Sequence, residues 1–263
     1  MREEEPLEVQ VEVEAVEPTG PNRRVLVSAI GHTDPGKRRS RNEDAYRVLA
    51  NELFLIADGM GGYAAGEVAS QMAVDVITAA FETEHFGGAA DPRLPRSGDE
   101  LVRAIRTANA LIYQQARTID EQAGMGTTVV AARFSADRRR VYVAHVGDSR
   151  CYLVRDGRVT QLTIDHTLGA LGIGGPAGHR LVRAVGIASG VDVDLRVELA
   201  ERGDIYLLCS DGLSKMVPDE DIQRIVTGVP DLDVAVRTLI EEANARGGRD
   251  NVSAILVRVD ELE

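Results

Sequence analysis

Three apolar runs in this chain stop on an aspartate, and a fourth aspartate stands just before the last such run. Phe54-Leu55-Ile56-Ala57 leads into Asp58-Gly59-Met60-Gly61-Gly62, Val143-Ala144-His145-Val146 into Gly147-Asp148-Ser149-Arg150, and Leu207-Leu208-Cys209-Ser210 into Asp211-Gly212, while Asp250-Asn251 precedes the final run. A single Asp in such a place is usually the opening residue of a turn, its carboxylate bonded to nearby backbone amides. Four of them, with Asn42-Glu43-Asp44 after another run, restrict the fold more than any bulk property. A buried strand delivers a carboxylate to a fixed point. Several carboxylates at one point repel and bind protons unless a cation sits among them. Oxygen ligands without Cys and with few His point to Mg²⁺ or Mn²⁺ rather than zinc. The glycines let a backbone carbonyl come close to an ion. Convergence of these strand ends is the expectation.

The rest of the chain sets the frame. Val25–Ile30 and Glu52–Ala57 read as strands, and Val68, Met72, Val76 and Ala80 with Ala69, Ala73 and Ile77 make one helical stripe. After a Gly- and Pro-rich loop at 86–96, Ser97 with Glu100 predicts a capping box for a second helix, with a stripe of Leu101, Ala104, Ile105, Ala108 and Ile112. Strands follow at 127–134, 141–146, 151–154 and 159–162, the last two joined by Asp156-Gly157, a hairpin signal. A glycine-rich loop, read as mobile, covers 168–178, and strands resume at 191–199 and 205–209. Pro218 in a first turn and Gly247-Gly248 at a stop frame two more helices, and a strand runs from 251 to 259. Helix pairs separated by runs of antiparallel strands, without strand-helix-strand alternation, predict stacked layers rather than a doubly wound sheet.

The chain has 263 residues with 44% apolar content, enough for a substantial core, and with 4 Phe, 6 Tyr and no Trp that core must be Val, Leu, Ile and Ala. A net charge of −12 repels phosphodiester backbones, so nucleic-acid binding is not expected. No apolar run approaches the ~20 residues of a membrane span, and the acidic start MREEEPLEVQ is unlike a signal peptide. Cys151 and Cys209 lie inside apolar runs, which fits a reduced, cytoplasmic compartment and excludes a disulfide framework or a Cys-based zinc site. Residues 1–22 are a separate segment. They carry seven Glu before residue 20 and alternate Leu7, Val9, Val11 and Val13 with polar residues, which suits an acidic tail or an edge strand equally.

Six motifs, in order, resemble those of the type 2C metal-dependent protein phosphatases, the PPM family. They are Thr33-Asp34-Pro35-Gly36-Lys37-Arg38-Arg39-Ser40-Arg41-Asn42-Glu43-Asp44; Asp58-Gly59-Met60-Gly61-Gly62 with Gly66-Glu67-Val68-Ala69-Ser70; Gly124-Met125-Gly126-Thr127-Thr128; Val146-Gly147-Asp148-Ser149-Arg150; Leu208-Cys209-Ser210-Asp211-Gly212-Leu213; and Asp250-Asn251-Val252. The resemblance spans residues 25–259 and implies an α+β fold, a four-layer α-β-β-α sandwich of two antiparallel sheets flanked by helix pairs. It makes residues 23–263 one catalytic domain holding two Mg²⁺ or Mn²⁺ ions at one end. By the same resemblance Asp58 bridges both ions, Asp211 and Asp250 complete the first ion's protein ligands, the Gly59 carbonyl binds the second, and Glu43 and Asp44 hold metal-bound waters. Asp148 with Asp211 matches the site of a third, weaker metal, and Arg39 matches the phosphate-binding arginine. Paired ions would lower the pKa of a bridging water and aim it at phosphorus, while a planar guanidinium grips two phosphate oxygens. Hydrolysis is then direct, with no phosphoenzyme.

Two departures stand out. Met60 replaces the His of eukaryotic members, so the general acid is unassigned and a metal-bound water is the expected substitute. The flap between Asp165-His166 and Arg183-Ala184-Val185-Gly186 is short and glycine-rich. Tyr63, where bacterial relatives often have His, is a smaller change. His145 reads as a satisfied core histidine, His166 and His179 as surface residues or substrate contacts, and Arg138-Arg139-Arg140 as a solvated corner. Arg23, Arg24, Lys37, Arg38 and Arg41 are either a basic rim for phosphopeptides or ordinary solvated charge.

The function expected is therefore that of a cytoplasmic, monomeric phosphoserine/phosphothreonine protein phosphatase acting in signal transduction, whose partners are phosphorylated proteins and a Ser/Thr protein kinase with its targets. Two rivals are a phosphatase dedicated to one phosphorylated regulator, of the anti-sigma antagonist type, and a non-catalytic phosphoprotein-binding module. Retention of Glu43, Asp44, Asp58, Asp148, Asp211 and Asp250 argues against the second.

Overall fold

The computed structural model describes residues 25–262, except 50–51, 63–64 and 136–138, with side chains from 27 to 260. The acidic segment 1–22, Arg23, Arg24, Tyr63 and Arg138 lie outside the described residues. In chain order the elements are strands β1 (Val25–Asp34), β2 (Asp44–Leu49) and β3 (Leu53–Met60), helices α1 (Ala65–Glu82) and α2 (Arg96–Thr118), strands β4 (Gly126–Thr127), β5 (Val129–Phe134), β6 (Arg140–Val146), β7 (Arg150–Arg155), β8 (Arg158–Gln161), β9 (Asp194–Leu199) and β10 (Ile205–Cys209), helices α3 (Asp211–Ser214), α4 (Asp219–Gly228) and α5 (Leu232–Ala245), and strand β11 (Val252–Leu262).

Two antiparallel sheets result, one ordered β1-β11-β10-β7-β8 and the other β2-β3-β5-β6-β9, with β4 paired to the end of β3. They stack face to face as an α+β sandwich of four layers. Because helices cover both outer faces, the central strands are buried on both sides, which is why they read as continuous apolar runs rather than as alternation. Successive residues of β3 show this. Phe54 and Ile56 join Val130, Ala132 and Phe134 between the sheets, while Leu55 and Ala57 join α1 and α2 residues Ala69, Ala73, Leu101 and Ile105. Phe54, Phe134 and Tyr206 meet edge to face at 6.1 Å in the inter-sheet layer. A third core, of Leu207, Cys209, Ile222, Val236, Leu239 and Leu256, joins the first sheet to α4 and α5. Cys151 and Cys209 project to opposite faces of that sheet, both reduced and buried, and burial pushes the Cys209 thiol up to about 12.

Local details differ from expectation in instructive ways. Helix α2 begins at Arg96 after Pro95, so Ser97 is inside it rather than capping it. Glu100 reaches two guanidinium groups, one at the helix start and one in the sheet below. It pairs with Arg133 of β5 and with Arg96 Nε at 2.8 Å, because a buried carboxylate gains more from a guanidinium than from a backbone amide. Pro218 is the residue before α4, not within its first turn, and Asp231 caps α5 by accepting from the Val234 amide. The run 127–134 breaks at Thr128, and β9 starts at Asp194 rather than Val191. Asp156 and Gly157, both at positive φ, close the β7–β8 hairpin. The 168–178 loop is not irregular throughout: the Leu168 and Gly169 amides bond to the Arg180 and Gly178 carbonyls, and a 3-10 turn spans Pro176–His179.

Candidate active site

The strand ends do converge. Arg39, Glu43, Asp58, Gly59, Asp148, Asp211 and Asp250 line one cleft of about 270 Å³, with Met60, Thr128, His179 and Lys215 completing its wall. Asp44 lies in register with Asp58 on the neighbouring strand and backs the cleft.

Each motif residue has a job in holding that geometry. Asp58 is fixed through its backbone: its carbonyl accepts from the Thr127 hydroxyl at 2.9 Å and the Thr128 amide at 2.8 Å, and its amide donates to Thr128 Oγ1 at 3.1 Å. Thr128 in turn bonds Ser149 Oγ, the neighbour of Asp148, at 2.7 Å. A Cβ on Gly59 would sit 2.1 Å from the Gly66 carbonyl oxygen, so α1 can pack against the end of β3 only if position 59 is glycine. Asn251 clamps the loop that carries Arg39 and Glu43. Its Nδ2 donates to the carbonyls of Pro35 and Arg41 at 3.0 and 2.8 Å, and its Oδ1 accepts the Glu43 amide at 2.8 Å. Asp44 Oδ2 accepts from the Ser210 and Ser253 hydroxyls at 2.8 and 2.7 Å.

The electrostatics are those of a cation site. Burial, followed by Asp44, Asp211, Asp148 and Asp250, holds the Asp58 carboxyl well above the usual carboxylate range. Burial pushes Asp44 up to about 7 in spite of its two serine donors, and burial with Asp211 raises Asp148. Asp44 Oδ1 is buried without a hydrogen-bond partner. A cluster of carboxylates that resists ionisation, with an orphaned oxygen and no cysteine, is a donor set suited to hard divalent ions. Two protein cations already reach into it. Arg39 Nη2 donates to Asp250 Oδ2 at 2.8 Å, and this contact holds the guanidinium above its ordinary pKa. The Lys215 ammonium donates to Asp148 Oδ2 at 3.0 Å and to Asp211 Oδ2. Lys215 went unremarked in the sequence, although a lysine four residues after an aspartate on a helical turn is a readable signal.

The histidines sort differently. His145 is a satisfied core residue, its Nε2 2.8 Å from the Ile164 carbonyl. His166 is buried rather than on the surface: it stacks on His145, and its Nδ1 accepts the Gly147 amide at 3.0 Å. With Asp194 these rings place ligand atoms within 4.8 Å of one another. A metal there is disfavoured, because Nδ1 is already an acceptor, so ligation through Nε2 would require an imidazolate, and Arg183 Nη1 sits 3.1 Å from Nε2 and pairs with Asp194. The cluster instead anchors the Gly147-Asp148 turn. His179, at the end of the flap, does face the cleft. Lys37, Arg38 and Arg41 are exposed beside it.

Comparison with known proteins agrees with this geometry. The family model for protein phosphatase 2C matches residues 36–256. The serine/threonine phosphatase stp of Listeria monocytogenes is 36% identical over 244 residues, covering 87% of this chain and 94% of its own. Among solved structures, Stp1 from Staphylococcus aureus is similar with a TM-score of 0.82 at 28% identity, over 94% of this chain and 100% of its own. The catalytic domain of the serine/threonine phosphatase PstP, in complex with two manganese ions, has a TM-score of 0.77 at 37% identity, over 89% of this chain and 99% of its own. The chain belongs to the protein phosphatase 2C family, the metal-dependent serine/threonine phosphatases. Among the described residues no helix is long and apolar enough to cross a membrane.

Proposed function

We propose that this cleft removes phosphate from phosphoserine and phosphothreonine in proteins, using two Mg²⁺ or Mn²⁺ ions, and that the chain works as a cytoplasmic monomer opposing a Ser/Thr protein kinase. Residues 23–263 form one catalytic unit with a short flap at 165–183. The observation that carries the reading is the meeting of Glu43, Asp58, Asp148, Asp211 and Asp250 around one cleft with Arg39 at its rim. Asp58 would hold both ions, Asp211 and Asp250 one of them and the Gly59 carbonyl the other, and Glu43 and Asp44 would hold water beside them. Bound divalent ions supply an activated water and reverse the sign of a cleft that would otherwise repel a phosphate dianion.

The chain's own groups do the positioning. Arg39 offers a planar fork to two phosphate oxygens; half its side chain is exposed, so it reaches substrate at the rim. Asn251 fixes the loop beneath it. Met60 has no proton to give, so protonation of the leaving oxygen falls to water in the cleft. The test is phosphate release from a phosphothreonine peptide and from para-nitrophenyl phosphate, with Mn²⁺, Mg²⁺ or chelator, beside Asp58→Asn. Metal-dependent release that vanishes in the variant is expected. A folded protein that turns over neither substrate in either metal refutes the reading.

A further inference from the structure

Asp148 and Asp211 come from distant parts of the chain, the β6–β7 turn and the start of α3, and their carboxylates face each other across the mouth of the cleft. Lys215 closes the first turn after Asp211, its amide bonded to the Asp211 carbonyl at 2.8 Å. That turn brings the lysine side chain back over Asp211. Its ammonium donates to Oδ2 of Asp211 and, at 3.0 Å, to Oδ2 of Asp148. Asp148 is nearly buried at 5% side-chain exposure and Asp211 is at 17%, while the lysine covers them from the solvent side at 34%. One tethered cation therefore bridges the same two carboxylates that the family resemblance assigns to a third, weaker metal.

We propose that Lys215 is a built-in replacement for that third ion, so that this protein binds two divalent ions and not three. The inference rests on the two-ion phosphatase reading. An ammonium has three donors and no need of a coordination shell, so a carboxylate from each side satisfies it well. A divalent ion entering there would have to lose part of its hydration, displace an ammonium fixed to the same helical turn, and leave that ammonium beside a dication. Because the lysine is covalently attached, its presence does not depend on the metal concentration, whereas a weak third ion would come and go. Asp211 belongs to the first ion's site as well, but Lys215 pairs with its Oδ2, which leaves Oδ1 for that ion beside Asp58 and Asp250.

Counting Mn²⁺ on the full chain, by equilibrium dialysis with elemental analysis and by native mass spectrometry, tests this directly. The wild type is expected to saturate at two equivalents. Lys215→Met, which keeps the apolar stem and removes the charge, should acquire a third equivalent, bound about tenfold or more tighter than any such binding in the wild type. Adding Asp148→Asn to that variant should remove it, and Lys215→Arg should stay at two. Three equivalents on the wild type overturn the proposal whatever the variants do, and so does a folded Lys215→Met that stops at two. A wild type that binds no Mn²⁺ overturns instead the two-ion reading beneath it, so the two failures are distinguishable.

Discussion

Replacing Asp44 by Asn should stabilise the metal-free protein at neutral pH while weakening its response to metal. In an unfolded chain the Asp44 carboxyl titrates near 4, and in the fold burial and the neighbouring carboxylates push it to about 7. Below about pH 4 both states hold the proton and neither is favoured. Between about 4 and 7 the folded state holds a proton that the unfolded state has lost, so stability falls as pH rises. Above about 7 the whole penalty remains. A difference of about 3 pH units at about 1.4 kcal/mol each sets an upper limit of about 4 kcal/mol. Water at the nearby cleft reduces this to about 2–3 kcal/mol, or about 4–12 °C in Tm for a domain of this size. Asn keeps an oxygen for the Ser210 and Ser253 hydroxyls and removes the charge. The assay is thermal unfolding in chelator at pH 5 and pH 8.5 for both proteins. Carboxylates held down by arginine, such as Glu100 and Asp194, titrate in both and cancel in the difference. The variant should melt higher at pH 8.5 and by only about a third of that margin at pH 5, and Mn²⁺ should raise the wild type more. Equal or lower Tm for the variant at pH 8.5 would refute the account of the cleft as a store of charge repulsion.

Three more outcomes follow from particular contacts. Arg39→Lys exchanges a planar fork for a point charge and should lower kcat/KM about 10- to 100-fold with metal saturating; an unchanged value in steady-state assays would remove Arg39 from phosphate binding. Asn251→Ala deletes three hydrogen bonds around the Arg39 loop and should cost about 3 kcal/mol in urea unfolding, with activity falling as the loop loses its clamp. Gly59→Ala drives a methyl to 2.1 Å from the Gly66 carbonyl, whereas a Cβ at Gly62 meets nothing within 4 Å; the first should lose about 3 kcal/mol or more and the second should melt close to the wild type.

How much of this was legible in sequence depends on the physics behind each feature. The layered fold was, because strands covered on both faces leave unbroken apolar runs such as Phe54-Leu55-Ile56-Ala57, and helices leave stripes such as Ala69, Ala73 and Ile77. The candidate site was legible as a set of aspartates in motifs, and Asp58, Asp148, Asp211 and Asp250 do meet. What could not be read was who holds them. Asn251 bonds to carbonyls at 35 and 41, and Asp44 to serines 166 and 209 residues away, which no local pattern encodes. The pattern at Glu100 is local and points to the helix start, where Arg96 pairs with it, while its second partner Arg133 comes from another layer and leaves no local trace. His166 was misplaced because its cover comes from elsewhere in the fold, from the His145 ring, the Gly147 backbone, Arg183 and Asp194.

The serine pair on Asp44 also says something about assembly. One hydroxyl comes from the end of β10 and the other from β11, and the first and last strands, β1 and β11, pair along their whole length. Contacts this distant in sequence close slowly. During synthesis the cleft therefore has no floor until residue 253 has left the ribosome, and a nascent chain several tens of residues short of that point carries aspartates but no centre. The cleft of this molecule is a property of its finished topology, because the hydroxyls that hold Asp44 come from the end of β10 and from β11.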